Sequence, residues 1–284
     1  MMGRLATYAS FVRFSHSVFA LPFALTGALL AAREVGFEWL RLPWIVLCMV
    51  TARSAAMGFN RLVDAGYDAT NPRTAGRDLP AGRMSRREAR LFVIVSSGAF
   101  IACAAPLGWV CFALSPVALA IVFWYSLAKR VTPYTQAYLG LAMAIAPVGG
   151  WIAAGGPPSL EPWLLGLAIG TWVAGFDVLY ACQDLEHDRR EGLQSIPVRF
   201  GVSRSIAISR GLHVVTVLVL AIVGAIAGLG GIYAAGVLAV GMLLIWEQSL
   251  VSADDLSQVK RAFDLNGWVG ILYFVTTAVA VYWP

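Results

Sequence analysis

Long apolar runs constrain this chain more than any other feature of its sequence. An α-helix needs about 20 predominantly apolar residues to cross the hydrocarbon core of a bilayer, and only 13% of the residues are charged, about half the share usual in soluble domains. The sequence therefore predicts an all-α polytopic protein, embedded in membrane lipid, with nine transmembrane helices. The predicted spans are 14–33, 43–63, 88–107, 109–128, 135–154, 162–182, 206–228, 230–250 and 266–283.

Basic residues are distributed unequally between the two sides of the membrane. If successive spans alternate in direction, every lysine and arginine except Arg33, Arg41 and Arg53 lies beside the loops of one side. Such an excess marks the cytoplasmic side. We therefore expect a cytoplasmic-membrane protein with its N-terminus inside and its C-terminus outside. The net charge of +5 is then explained by orientation and anionic lipid, and no nucleic-acid-binding module is visible.

The cysteines do not form a metal or redox motif. They lie in apolar runs, without CxxC spacing and without partnered histidines, which predicts reduced packing residues. They are Cys48, Cys103, Cys111 and Cys182.

Two polar segments on the predicted cytoplasmic side share one layout, in which three polar residues at steps of four are followed by basic residues, a proline and a glycine. These are Asn60, Asp64 and Asp68 after the second span, and Tyr180, Asp184 and Asp188 after the sixth. Because the segments are four spans apart, an even number, we predict a parallel pseudo-repeat of helices 1–4 and 5–8 within one domain of residues 1–284. Ser85 and Glu88 fit a capping box, which predicts the start of the third span.

The spacing brings the carboxylates of each segment to one helix face, since side chains four residues apart return to nearly the same direction. Asp177 lies on the same stripe, seven residues before Asp184. Charged groups at span ends are costly, and a divalent cation would offset that cost. Mg²⁺ binds through one or two carboxylates plus substrate phosphate. Surrounding cations suit a bound diphosphate; they include Arg73, Arg77, Lys129, Arg130 and Arg189. A solvated, salt-bridged loop is the alternative for either motif alone.

The two segments resemble the aspartate-rich motifs of the UbiA superfamily of intramembrane prenyltransferases. Asn60, Asp64 and Asp68 match NxxxDxxxD, and residues 177–188 match DxxYAxxDxxxD. The resemblance covers nearly the whole chain and implies nine helices around a central cavity. Residues 15–24, 53–61 and 183–188 resemble the 4-hydroxybenzoate polyprenyltransferase-like branch, which includes enzymes that prenylate 1,4-dihydroxy-6-naphthoate. Arg61 stands where the best-known 4-hydroxybenzoate enzymes have an acidic or polar residue.

The resemblance implies Mg²⁺-dependent transfer of a polyprenyl group from a polyprenyl diphosphate to an aromatic acid acceptor, in menaquinone or ubiquinone biosynthesis. It implies that Asp177 and Tyr180 face the reacting centre, with Asp177 a candidate base, and that Asp64 and Asp184 are central to catalysis. The implied metal or diphosphate ligands are Asn60, Asp64, Asp68, Asp184 and Asp188, with Arg77 and Lys129 as further diphosphate contacts. Aromatic faces for an allylic cation are available from Trp124, Tyr125, Phe176 and Tyr180.

Three polar residues inside spans are further candidates. Arg53 lies seven residues before Asn60 and so on the same helix face. It can pair with Asp177 or Asp64, or bind the carboxylate of the acceptor, and the family's arginine at this place favours the second role. His16 is a candidate acceptor contact, with a hydrogen-bonded interhelical histidine as the alternative. Asn266 resembles a polar position at the entrance of the family's last span.

An ion-coupled transporter is the alternative function from another class, because carriers also have pseudo-repeats and intramembrane carboxylates. A carrier site is expected near the membrane midplane, whereas these aspartates lie at span ends among arginines. A UbiA-type enzyme with a different acceptor is the second alternative.

Overall fold

The structure, a computed structural model, describes residue 11 and residues 20–36 and 38–283. These residues form helices and connecting turns without any strand, which confirms the all-α prediction. The helices are α1 (Leu21–Val35), α2 (Leu42–Thr70), α3 (Arg86–Ala104), α4 (Trp109–Ala128), α5 (Thr135–Ala153), α6 (Glu161–Ala181), α7 (Leu185–Arg190), α8 (Ile196–Phe200), α9 (Val202–Ile226), α10 (Gly231–Ser249) and α11 (Val259–Tyr282). Short 3-10 turns cover Trp39–Arg41, Ala105–Leu107 and Cys182–Asp184.

The long helices confirm an integral membrane protein. Within the described chain, 8 helical segments are long and apolar enough to cross a membrane, and they coincide with predicted spans two to nine. Helix α1 covers the described part of the first predicted span. Large apolar side chains remain exposed along these helices, as on α10, where Leu238, Met242 and Ile245 are 67%, 66% and 72% exposed. Their spacing forms one outward stripe, which suits contact with lipid.

Several helices extend beyond the apolar runs that predicted them. Helix α2 continues to Thr70 rather than residue 63, and α11 begins at Val259 rather than residue 266. Polar residues can continue a helix outside the hydrocarbon core, so hydropathy alone places the end of α2 too early and the start of α11 too late. Helix α2 stops before Asn71-Pro72, because the residue preceding a proline disfavours the helical conformation.

The described chain forms two compact units. The first unit contains residue 11 and residues 40–127, and in it α2 packs along α3. The second contains residues 20–36, 38–39 and 128–283, and in it α6 packs against both α5 and α9 while α11 packs against α10 and α1. The predicted pseudo-repeat and the single domain remain predictions.

Small residues allow α1 and α5 to approach closely in the second unit. A Cβ atom added to Gly27 would collide with the carbonyl group of Pro147, and one added to Gly150 would collide with that of Ala24. Such contacts between small residues are typical of helix packing in membranes.

The predicted capping box at the start of α3 is confirmed. Ser85 caps α3 with a complete capping box, in which the Ser85 amide donates to Glu88 Oε2 at 2.8 Å and the Glu88 amide donates to Ser85 Oγ at 3.2 Å. All four cysteines are free.

Candidate functional site

The first acidic segment lies on one unbroken helix. Asn60, Asp64 and Asp68 occupy successive turns of α2, as their spacing predicted. Asn60 Nδ2 donates to Asp64 Oδ2 at 3.1 Å, which leaves Asn60 Oδ1 as a potential ligand oxygen. Asp64 and Asp68 are only 3% and 6% exposed, so the first unit encloses two carboxylates one helical turn apart.

The loop after α2 folds back and brings a cation to this segment. Arg77 Nη1 donates to both oxygens of Asp68, at 2.8 and 2.9 Å. Thr74 Oγ1 donates to the Asp68 carbonyl at 3.1 Å and so fixes the start of the loop. Arg77 therefore lies where the sequence placed a diphosphate contact, and in this structure it neutralises Asp68.

Asp78 anchors the rest of this loop, and sequence reasoning missed it. Its carboxylate is 2% exposed and accepts from Arg83 Nε at 2.9 Å. Arg83 Nη2 donates to the Gly76 carbonyl at 2.6 Å, and the Arg83 and Met84 amides donate to the Asp78 carbonyl. Neither residue belongs to the spaced motif. The one sequence signal for Asp78 and Arg83 is that they closely follow the first acidic segment.

Arg53 presents an unsatisfied donor in the first unit. Its Nε is buried with no hydrogen-bond partner among the described residues, and Tyr125 of α4 lies within electrostatic reach of its guanidinium. The adjacent Ser126 Oγ is also buried without a partner in the described chain. Because an unpaired buried donor costs about 1–3 kcal/mol, this region suits an acceptor supplied by a ligand. His16, the other predicted acceptor contact, lies outside the described residues.

The second acidic segment is not one continuous helix, and the predicted single stripe is corrected here. Helix α6 ends at Ala181, a 3-10 turn covers Cys182–Asp184, and α7 follows. A 3-10 turn has about 3.0 residues per turn instead of 3.6, so Asp184 and Asp188 are rotated relative to Asp177. The carboxylates of Asp184 and Asp188 nevertheless lie close enough to repel each other.

Basic and polar groups surround Asp188 in the second unit. Lys129 and His187 lie within electrostatic reach of its carboxylate, and the Ser195 hydroxyl lies close enough to donate to it. The intervening loop is tied down, because the Gln194 amide donates to the Lys129 carbonyl at 2.7 Å. Lys129 thus lies beside the second acidic segment, as predicted. Ser195 was not predicted, since its approach depends on this loop closing.

A row of aromatic rings leads from the second acidic segment into the second unit. The Tyr180 and Phe263 ring centroids are 4.7 Å apart, those of Phe263 and Phe176 are 5.5 Å apart, and those of Phe176 and Trp172 are 5.2 Å apart. Phe176 and Tyr180 were predicted as possible faces for a cation. Trp124, in the first unit, is 47% exposed.

Asn266 lies inside the second unit, and its position at the entrance of the last span stays a prediction. Helix α11 begins two turns earlier, at Val259, and Asn266 is fully buried. Its Oδ1 accepts a hydrogen bond from Trp172 Nε1 at 2.7 Å.

The donor groups fit magnesium bound through few protein ligands. Among the described residues, no three or more histidine, cysteine, aspartate or glutamate side chains gather closely enough to hold a metal ion. Each acidic segment instead has two neighbouring aspartates, with the Asn60 amide oxygen beside one pair. Oxygen donors suit a hard cation, and Mg²⁺ needs one or two carboxylates when a phosphate supplies other ligands.

Comparisons with known proteins place this arrangement in context. The model of the UbiA prenyltransferase family matches residues 20–276. A 4-hydroxybenzoate octaprenyltransferase from Cronobacter sakazakii is 32% identical over 242 residues, which are 84% of this chain and 83% of that protein. An apo structure of a UbiA homologue from Aeropyrum pernix K1 is 35% identical, has a TM-score of 0.85 and covers 92% of this chain and 96% of that chain. A UbiA homologue from Archaeoglobus fulgidus, bound to GPP and Mg²⁺, is 20% identical and shares the fold with a TM-score of 0.78, over 97% of this chain and 99% of that chain.

Proposed function

Because this chain belongs to the UbiA prenyltransferase family, we propose that it transfers a polyprenyl group from a polyprenyl diphosphate to a hydroxylated aromatic carboxylate. One observation carries the proposal: each unit has neighbouring aspartates with a cationic side chain against one of them. Arg77 contacts Asp68 in the first unit, and Lys129 lies near Asp188 in the second. Paired carboxylates beside a cation are suited to a metal-bound diphosphate.

The acidic residues would hold magnesium in this proposal. When bound, Mg²⁺ would neutralise the diphosphate charge that develops as the carbon–oxygen bond of the donor breaks. The residues that would hold it are Asn60, Asp64, Asp68, Asp184 and Asp188.

The cationic residues would bind the diphosphate directly. Arg77 donates both of its described contacts to Asp68, so it would exchange that carboxylate for diphosphate oxygens when the donor binds. The remaining exposure of its side chain, 21%, leaves room for the exchange. Lys129 would act in the same way beside Asp188, on what we propose is the cytoplasmic side of the membrane.

The aromatic row would stabilise the prenyl group as it becomes an allylic cation. Ring faces attract a nearby cation, and the row of Tyr180, Phe263 and Phe176 begins at the second acidic segment. Phe176 is 7% exposed, so these rings offer a water-poor surface.

Arg53 would bind the carboxylate of the acceptor through its guanidinium, whose Nε has no hydrogen-bond partner among the described residues. The relative from Cronobacter sakazakii is named for 4-hydroxybenzoate and octaprenyl transfer, which supports 4-hydroxybenzoate as the acceptor here. Arg61, which departs from the best-known 4-hydroxybenzoate enzymes, keeps 1,4-dihydroxy-6-naphthoate as the second candidate. Either product would belong to quinone biosynthesis.

The proposal is tested with purified full-length protein, geranyl diphosphate and each acceptor, with Mg²⁺ or with EDTA. We expect a prenylated acid and free diphosphate in equal amounts, with Mg²⁺ only. Asp64→Ala should abolish transfer, whereas Asp254→Asn, a change at an exposed loop aspartate, should retain it. Diphosphate release that ignores Mg²⁺, or that survives Asp64→Ala, would contradict the proposal, and so would a failure to prenylate either acid.

A further inference from the structure

The second unit contains a carboxyl group that the proposed binding sites do not use. Glu247, near the end of α10, is 1% exposed. Neither of its oxygens has a hydrogen-bond partner of good geometry among the described residues. Burying an unpaired charge costs several kcal/mol, and acidic residues inside membrane spans usually mark proton or ion pathways.

The amide nitrogen of the neighbouring residue, Gln248, joins a hydrogen-bond network between helices. Gln248 Nε2 donates to Ser209 Oγ at 2.7 Å and approaches His213 Nδ1 at 3.0 Å. Ser209 Oγ in turn donates to the Gly175 carbonyl at 2.7 Å. These bonds join α10 to α9 and α6. Both oxygens of Glu247, by contrast, lack a hydrogen bond of good geometry within the described chain.

Glu247 lies next to the aromatic row at the second acidic segment. The side-chain amide of Asn266 lies beside its carboxyl group. Phe263, three residues before Asn266 on α11, packs against both Tyr180 and Phe176. Three residues advance a helix by about 4.5 Å, so Asn266 is nearly one helical turn beyond Phe263 on α11, where its Oδ1 accepts from Trp172 Nε1 of the same aromatic row.

The Glu247 carboxyl group is shielded from water, but an exposed loop follows it closely in the sequence. An apolar cluster packs at the ends of the surrounding helices and separates Glu247 from the aqueous side; it contains Leu179, Ile206, Val251, Val259 and Ala262. Helix α10 ends two residues after Glu247, and the loop from Ser252 to Asp255 is exposed. A proton on Glu247 therefore has a short route to the solvent once this cluster moves.

Few charged groups on the neighbouring helices can compensate Glu247. On α11, Lys260, Arg261 and Asp264 are exposed, and Arg261 lies 6.0 Å from the Trp246 ring centroid. On α9, Arg210 is exposed and His213 is occupied by Gln248. The titratable groups of α6 near this end are Asp177 and Tyr180. Neither Glu247 oxygen accepts a hydrogen bond from these residues in the part of the chain that the structure describes.

We propose that Glu247 accepts the proton released when the acceptor ring is prenylated, an inference that rests on the proposed function. In that substitution the carbon–oxygen bond of the donor breaks and its electron pair leaves with the diphosphate. A π-electron pair of the ring forms the new carbon–carbon bond, and the same ring carbon then loses its hydrogen as a proton, which returns the C–H electron pair to the ring. The Glu247 carboxylate takes up this proton, directly or through one water, and later releases it to the cytoplasmic side.

The test measures turnover by the full-length Glu247→Gln variant with geranyl diphosphate, Mg²⁺ and 4-hydroxybenzoate. Removing a general base typically costs about 10²–10⁴-fold in rate, and we expect kcat to fall within that range. Loss of the ring proton should then limit turnover, so 4-hydroxybenzoate deuterated beside its hydroxyl group should show a primary isotope effect in the variant and none in the wild type. A purely structural role would lower the rate without creating that effect.

Control variants keep the result interpretable. Glu247→Asp retains a carboxylate and should turn over faster than Glu247→Gln, without the isotope effect. Glu34→Gln, a change at an exposed glutamate of α1, should leave the rate unchanged. If the wild type transfers the prenyl group but Glu247→Gln keeps its rate, or loses rate without an isotope effect, this inference is overturned while the proposed function stands. An isotope effect that appears in Asp177→Asn instead would assign the role to Asp177, and an inactive wild type would overturn the proposed function itself.

Discussion

Asp68 and Arg77 form an ion pair, which would have to break before Arg77 could bind a diphosphate. The pair is close, at 2.8 Å, and largely shielded from water. Four residues away, Asp64 is held by the Asn60 amide instead. In the first segment, Asp68 thus pairs with a full positive charge, and Asp64 accepts a hydrogen bond from a neutral amide.

Two arginines of the loop after α2 offer a matched comparison at this scale. Arg77→Gln should raise KM for the prenyl diphosphate by about tenfold or more, since hydrogen bonds between charged groups contribute about 1.5–3 kcal/mol. Arg83→Gln removes the bond to Asp78, a residue that holds the loop and does not belong to the acidic motif. This variant should therefore lower thermal stability with little change in KM for the prenyl diphosphate. Steady-state kinetics measure KM, and thermal unfolding in detergent measures the stability of both variants. Equal KM values for Arg77→Gln and the wild type would exclude Arg77 from diphosphate binding.

Arg53 provides a test of acceptor recognition. Arg53→Leu should raise KM for 4-hydroxybenzoate by about 10–100-fold, because it removes a charge-assisted interaction of about 1.5–3 kcal/mol, while KM for the donor stays constant. The loss should shrink for a phenol that lacks the carboxylate. If both acceptors suffer equally, Arg53 does not bind the carboxylate.

The sequence predicted side-chain positions best where those positions depend on local spacing along a helix. Asn60, Asp64 and Asp68 share a face because of helix geometry alone. Asp78 and Ser195 could not be identified in this way, because their partners are set by the folding of two loops. Glu247 looked like an ordinary polar residue near a span end, and only its burial and its unsatisfied oxygens distinguish it.

At the scale of elements, close contact between α1 and α5 depends on single glycines. Gly150→Ala would push a methyl group into the Ala24 carbonyl of α1, and we expect a loss of about 1–3 kcal/mol from this overpacking. Gly149→Ala, one residue earlier on α5, meets nothing within 4 Å and should be neutral or slightly stabilising, because alanine favours helix by up to about 1 kcal/mol. Thermal unfolding of the purified variants compares them directly. Similar unfolding temperatures for the two variants would contradict this packing.

Helix ends were predicted well where a local signal exists and poorly elsewhere. The capping box marked the start of α3 correctly. Hydropathy misplaced the end of α2 and the start of α11, because helix formation continues past the apolar core. The 3-10 turn at Cys182–Asp184 has no such signal in the sequence, so the second acidic segment could not be predicted in its observed form.

At the scale of the whole molecule, the distribution of basic residues predicts the orientation. An alkaline phosphatase fused after the last residue should be active, because that enzyme folds only outside the cytoplasm, whereas a fusion at Gly192 should be inactive. Activity of the Gly192 fusion alone would place the acidic segments outside and invert the predicted topology. Apolar run lengths were sufficient to predict the second to ninth spans, which lie within the described residues, but they contain no information on which helices pack together.

The central claim is that the aspartates of each acidic segment bind magnesium together with diphosphate. Titration of the purified protein with geranyl S-thiolodiphosphate and Mg²⁺ tests it most directly. We predict binding that requires Mg²⁺, with an affinity at least about tenfold weaker in either Asp64→Asn or Asp188→Asn. Wild-type affinity in either single variant would show that its segment does not hold the diphosphate and would contradict the account.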